Sequence, residues 1–148
     1  MEKNELMGGK KWLSLGLRAV CAAILLQTLY FKFSGAPESV YIFTTLGIEP
    51  WGRYFTGVCE LVASTLLLAP FAPWLGALMS VGLMGGALGG HLTQLGIEVQ
   101  GDGGLLFSLA MFVFGASLII LYLTKSVPLQ WVAKRFPAVG AKIDRLIK

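Results

Sequence analysis

Charged side chains make up only 14% of this chain, and histidine occurs once. A soluble domain of 148 residues keeps much surface for its volume and needs polar side chains to cover it. Here 55% of residues are apolar and the mean hydropathy is +0.72. That balance excludes an ordinary water-soluble domain and leaves lipid as the fitting solvent. There are two cysteines, Cys21 and Cys59, each within an apolar run. Without a Cys-x-x-Cys, the signatures of a thioredoxin-like dithiol and of a thiolate metal site are both missing. The cysteines read as buried small hydrophobes and free thiols. A single histidine with scattered carboxylates has no ligand spacing, so no metal is expected. Flavin, haem and iron–sulfur signatures are also lacking, which excludes stand-alone electron transfer through those groups and leaves quinone as the open cofactor. No small-residue cleavage site follows the first apolar stretch, so a removed signal peptide is not expected. There is no low-complexity tract and no clear internal repeat.

What is present is a set of apolar runs between basic ends. Of the twelve Lys and Arg residues, four fall before residue 20 and six from Lys125 onward, with only Lys32 and Arg53 between. Such a distribution is a topology signal and not a phosphate-binding stripe, so nucleic acid is excluded as a partner. A spanning helix needs roughly 20 largely apolar residues. The sequence predicts spans over about 12–32, 53–69, 74–95 and 105–124, within one membrane domain covering 1–148. The expectation is therefore an all-α membrane protein, a bundle of four transmembrane helices. The basic imbalance places both termini on the cytoplasmic side.

Between the first two spans, Pro37 suits the first turn of a short interfacial helix, capped by Ser34 or led in by Gly35. Val40, Phe43, Thr44 and Leu46 form the face expected to lie flat on the bilayer. Residues 125–148 read as a basic amphipathic tail, with Trp131, Val132, Phe136, Ile143 and Ile147 dipping into the headgroups. In the third span Gly82, Gly86 and Gly90 stand one above another. Small residues four apart let helices approach closely in lipid, so this row reads as a packing seam.

Ionisable groups inside lipid are costly and are functional candidates by default. Arg18, Glu60 and His91 qualify. Helix rise puts Glu60 ~12 Å and His91 ~7 Å below the external surface. Lys32 and Arg53 lie at that rim, with Glu38, Glu49, Glu98 and Asp102 in the connections above. A carboxylate at the depth of Glu60 must be paired or protonated; Arg18, Lys32 and Arg53 are its candidate partners, and His91 can share a proton with it. These groups either fix helix register or line an external-facing pocket for binding or proton handling.

Leu29-Tyr30-Phe31-Lys32-Phe33, Gly57-Val58-Cys59-Glu60-Leu61 and the glycine-rich third span ending in His91 resemble the DoxX family of small four-helix bacterial membrane proteins. Closer still is the similarity to DoxX-like proteins carrying Pro37-Glu38-Ser39, Gly47-Ile48-Glu49-Pro50-Trp51-Gly52-Arg53, His91-Leu92-Thr93-Gln94-Leu95-Gly96-Ile97 and Asp102-Gly103-Gly104. The resemblance runs from about Arg18 to Tyr122. It implies a small membrane subunit, in a family associated with quinol oxidase, thiosulfate:quinone oxidoreductase and other membrane redox assemblies. Arg18, Lys32, Glu60 and His91 are the positions shared with the family's polar pattern, without an established chemical role. The leading expectation is a subunit without catalysis of its own, supporting a redox or respiratory assembly. The alternatives are a quinone- or lipid-binding oxidoreductase subunit, or a small transporter or channel using Glu60. The expected partners are the lipid bilayer, other membrane redox subunits and, for a lumen of useful size, further copies of the chain.

Overall fold

A computed structural model of the protein describes residues 2–125, with side chains from residue 8 onward. All regular structure among the described residues is helical: α1 (Glu2–Ser34), α2 (Pro37–Thr45), α3 (Trp51–Leu68), α4 (Pro73–Gly90), a single π-helical turn (His91–Leu95) and α5 (Leu105–Thr124). The expected amphipathic tail lies outside the described residues.

Helix ends follow local chemistry. Nothing before Pro37 obstructs helix, so α1 begins ten residues ahead of Trp12, the expected start of the first span. It stops where Gly35 takes a left-handed φ of +68° and the Ala36 amide bonds back to the Phe31 carbonyl at 3.1 Å. That is a Schellman closure, open to glycine because it has no Cβ to clash. Ser34 is thus the last residue of α1 and not the cap of α2; Ala36 holds the cap position and Pro37 the first turn. The end of α2 repeats the device, with Gly47 at +71° and Ile48 bonding back to Phe43. Pro70 prevents α3 from continuing, and Pro73 starts α4.

The four long helices form a closed ring, with α1 and α4 each packed against both α3 and α5. Their shared core is small-grained: Cys21, Ala22 and Leu25 meet Ala63, Leu67, Ala77, Val113 and Ala116. Packing, not water exclusion, holds helices together in lipid, and small side chains allow the closest packing. Large apolar residues such as Leu15, Val20, Leu26, Phe55, Val62 and Leu118 point outward instead. Apolar surface of this extent marks a membrane-facing exterior.

Three stretches are long and apolar enough to cross a membrane: Gly8–Ser34, Pro73–Leu95 and Leu105–Thr124. The remaining helix, α3, has the length at 18 residues, but Arg53 and Glu60 reduce its apolarity.

The expected seam requires correction. Gly82 and Gly86 are exposed, and a Cβ added at either would meet nothing within 4 Å. Gly90 touches only side chains, Leu46 and Leu95. The close backbone approach lies lower on α4, at Gly76, where a Cβ would fall 2.5 Å from the Leu67 amide nitrogen and 2.8 Å from the Ala63 carbonyl oxygen. The buried face of α4 runs through Gly76, Ala77, Ser80 and Met84, roughly opposite the glycine row. Spacing identified a row of small residues but not the direction in which it faces. Similarly, α2 does not simply lie flat: it packs on α1, α3 and the π turn, burying Ser39 and Phe43 and leaving Thr44 exposed.

Candidate polar site between helices one and three

Thr28 and Lys32 are one helical turn apart, so α1 presents both on one face. The facing helix supplies Glu60, only 4% exposed. The Lys32 ammonium lies 2.9 Å from Glu60 Oε2, and the Thr28 hydroxyl donates to the same oxygen at 2.8 Å. Among the described residues, Glu60 Oε1 accepts no hydrogen bond. The pairing answers the desolvation problem, since a buried charge is costly unless it is paired and hydrogen-bonded. Gly57 completes the crossing one turn earlier on α3. A Cβ there would meet the Phe33 ring at 3.1 Å, so glycine lets the end of α1 close over the pair.

Of the three candidate cations, Lys32 alone reaches Glu60. Arg18 instead turns toward the far end of α3, donating through Nε to the Leu67 carbonyl and through Nη2 to the Ala69 carbonyl at 2.9 Å. These are among the last carbonyls of α3, which have no partner within their own helix. Arg53, 5% exposed, is held by Glu49 one turn earlier: Nη2 lies 2.8 Å from Oε1, and Nε bonds both carboxylate oxygens at 2.9 and 3.0 Å. Its Nη1 donates to the Lys32 carbonyl, and the guanidinium lies 4.4 Å from the centre of the Tyr54 ring.

His91 is buried, but no hydrogen bond joins it to Glu60 among the described residues. Its Nδ1 is 2.7 Å from the Gly96 carbonyl oxygen, and its ring meets Phe107 edge-on with centroids 5.6 Å apart. A carbonyl only accepts, so Nδ1 carries the hydrogen of this bond. The π turn that begins at His91 therefore fastens to the following connection through its first side chain. Asp102 is a second fastener. Its carboxylate accepts from the amides of Val99 (2.8 Å), Gly104 (2.9 Å) and Leu106 (2.9 Å), tying the connection to the first turn of α5. Burial alone would raise the pKa of Asp102, but the three amides, helped by nearby His91, outweigh it and hold the carboxyl below its ordinary value. Glu38 is exposed in the first turn of α2 and forms no ion pair among the described residues.

The predicted mouth thus resolves into three arrangements, the first two joined by the Arg53 bond to the Lys32 carbonyl: Glu60 with Lys32 and Thr28, Arg53 with Glu49, and His91 and Asp102 in the last connection. Sequence reasoning missed Thr28 altogether and passed over Glu49 as the partner of Arg53. The i,i+4 spacings Thr28–Lys32 and Glu49–Arg53 carry both signals. Cys21 and Cys59 are free thiols, as expected. Among the described residues, no three His, Cys, Asp or Glu side chains gather as a metal would require.

No curated protein and no solved structure matches the chain. The stretch that carries all of these polar residues does match a family: residues 16–117 fit the DoxX-like family, and the chain belongs to it.

Proposed function

We propose that the protein is a small multi-pass subunit of the bacterial cytoplasmic membrane that supports a redox or respiratory assembly without catalysis of its own. The observation that carries the reading is the Glu60 carboxylate, buried between α1 and α3 with Lys32 and Thr28 both on Oε2. Among the described residues no donor reaches Oε1, and on this reading a donor from outside the chain uses it. On this reading α3 also crosses the bilayer, its charge compensated by Lys32, and both termini are cytoplasmic. Glu60, Lys32 and His91 then face the outer side. The open Oε1 equally favours a second reading, in which a quinone or lipid hydroxyl donates to Glu60 and the subunit belongs to an oxidoreductase.

Co-purification from membranes in mild detergent, with identification of retained proteins and lipids, separates the two. Protein partners lost on Glu60→Gln, with the fold intact, support the subunit reading. Retained quinone lost on the same substitution supports the second. Neither proteins nor quinone depending on Glu60 would refute both and leave the pair a structural lock.

A further inference from the structure

At the opposite end of the bundle from Glu60, α1 and α5 frame a cavity of about 230 Å³ lined by Lys10, Tyr122, Leu123 and Lys125. Lys10 stands near the start of the first apolar stretch, and Lys125 directly follows the last residue of α5. Both lysines are exposed and both line the one hollow, where apolar helix gives way to polar surface. No carboxylate lines the hollow among the described residues. The Lys125 ammonium lies 4.4 Å from the centre of the Tyr122 ring, which holds it over the aromatic face at one side of the cavity. Leu123 supplies an apolar wall.

Two like charges sharing a hollow repel until an anion enters between them. The chemistry that fits combines an anionic oxygen cluster with an apolar attachment, because one wall offers ammonium groups and another offers Leu123 and the Tyr122 ring. We propose that this cavity binds the phosphodiester of an anionic phospholipid, with the phosphate between Lys10 and Lys125 and the glycerol end against Tyr122 and Leu123. A choline headgroup is disfavoured, since it carries its own cation into a site that already holds two. Free phosphate satisfies the ammonium groups but leaves the apolar wall unused.

The test uses the purified full chain in mild detergent, titrated with dioleoylphosphatidylglycerol or dioleoylphosphatidylcholine, with retained lipid counted by native mass spectrometry. Phosphatidylglycerol should be retained over phosphatidylcholine. Lys10→Gln and Lys125→Gln should each weaken retention about five-fold, the effect of one basic residue near an anionic headgroup. Lys11→Gln removes the same charge outside the cavity and should change nothing. Equal retention of the two lipids, or a Lys11→Gln effect matching that of Lys10→Gln, would overturn the site. Millimolar inorganic phosphate should leave the bound lipid in place; displacement that depends on the same lysines would overturn the lipid assignment in favour of free phosphate.

Discussion

Arg18 and Arg53 each reach across to the terminal carbonyls of the helix that carries the other. Arg18, on α1, closes the end of α3; Arg53, on α3, donates to the Lys32 carbonyl near the end of α1. Helix C-termini carry partial negative charge and unpaired carbonyls, so each guanidinium is matched to its place twice over. The Glu60–Lys32 pair lies between these two clasps.

Charge-assisted hydrogen bonds contribute roughly 1.5–3 kcal/mol each, and the two made by Arg18 act on part-buried carbonyls. Arg18→Met should therefore lower the thermal midpoint in detergent, while Arg18→Lys recovers only part of the loss because an ammonium lacks the fork geometry. Equal melting of wild type and Arg18→Met would show that the cap contributes nothing.

Lys32→Met leaves a buried carboxylate without its cation and should destabilise by about 3–5 kcal/mol. Adding Glu60→Gln in the same chain should recover most of that loss, because the stranded charge is gone. Denaturation of the two single variants and the double variant measures the coupling directly. Purely additive effects would mean that the pair has no energetic connection.

Gly76 and Gly86 should respond oppositely to enlargement. Leucine at 76 must displace the α3 backbone and should reduce folded yield sharply, beyond the ~1–3 kcal/mol usual for overpacking. Leucine at 86 enters open space and should leave yield unchanged. Size-exclusion profiles of the two variants decide it, and a Gly86→Leu failure would point to a neighbouring chain on that face.

The depressed pKa of Asp102 has a definite sign. A carboxyl held below its ordinary value contributes stability above that value and loses it as pH falls through the folded-state pKa. Melting followed downward from neutral pH should therefore show a loss beginning near pH ~4, the ordinary range for aspartate. In Asp102→Asn that part of the slope should be reduced. Hydrogen exchange at Val99, Gly104 and Leu106 should accelerate over the same range in the wild-type protein only.

How much of this was legible beforehand depended on the range of each interaction. Apolar run length and prolines are local, and they placed α3, α4 and α5 to within a few residues. A cation for Glu60 followed from the cost of a bare charge, but its identity did not. Arg18, Lys32 and Arg53 all carry the right sign, and helix rotation about its axis decides which one points at Glu60. Rotation also turned the Gly82–Gly86 row outward and gave the close crossing to Gly76, which stands outside any obvious motif. Asp102 looked like part of a charged mouth because sequence shows its charge and not the three amides that four left-handed residues, Gln100, Gly101, Gly103 and Gly104, fold around it.

If α3 crosses the bilayer as proposed, the compensation of Glu60 by a residue on α1 gives the two helices an order of arrival. As the chain emerges from the ribosome, the first apolar stretch can settle in the bilayer by itself, carrying Lys32 at its trailing end. The third helix is less apolar and brings a carboxylate that lipid alone would reject. On the proposed reading it enters at acceptable cost only against a first helix already in place, with Lys32 and Thr28 turned toward it. Each newly made copy must hold its opening segment nearby while the next is threaded, so the pair that stabilises the finished bundle also checks its assembly.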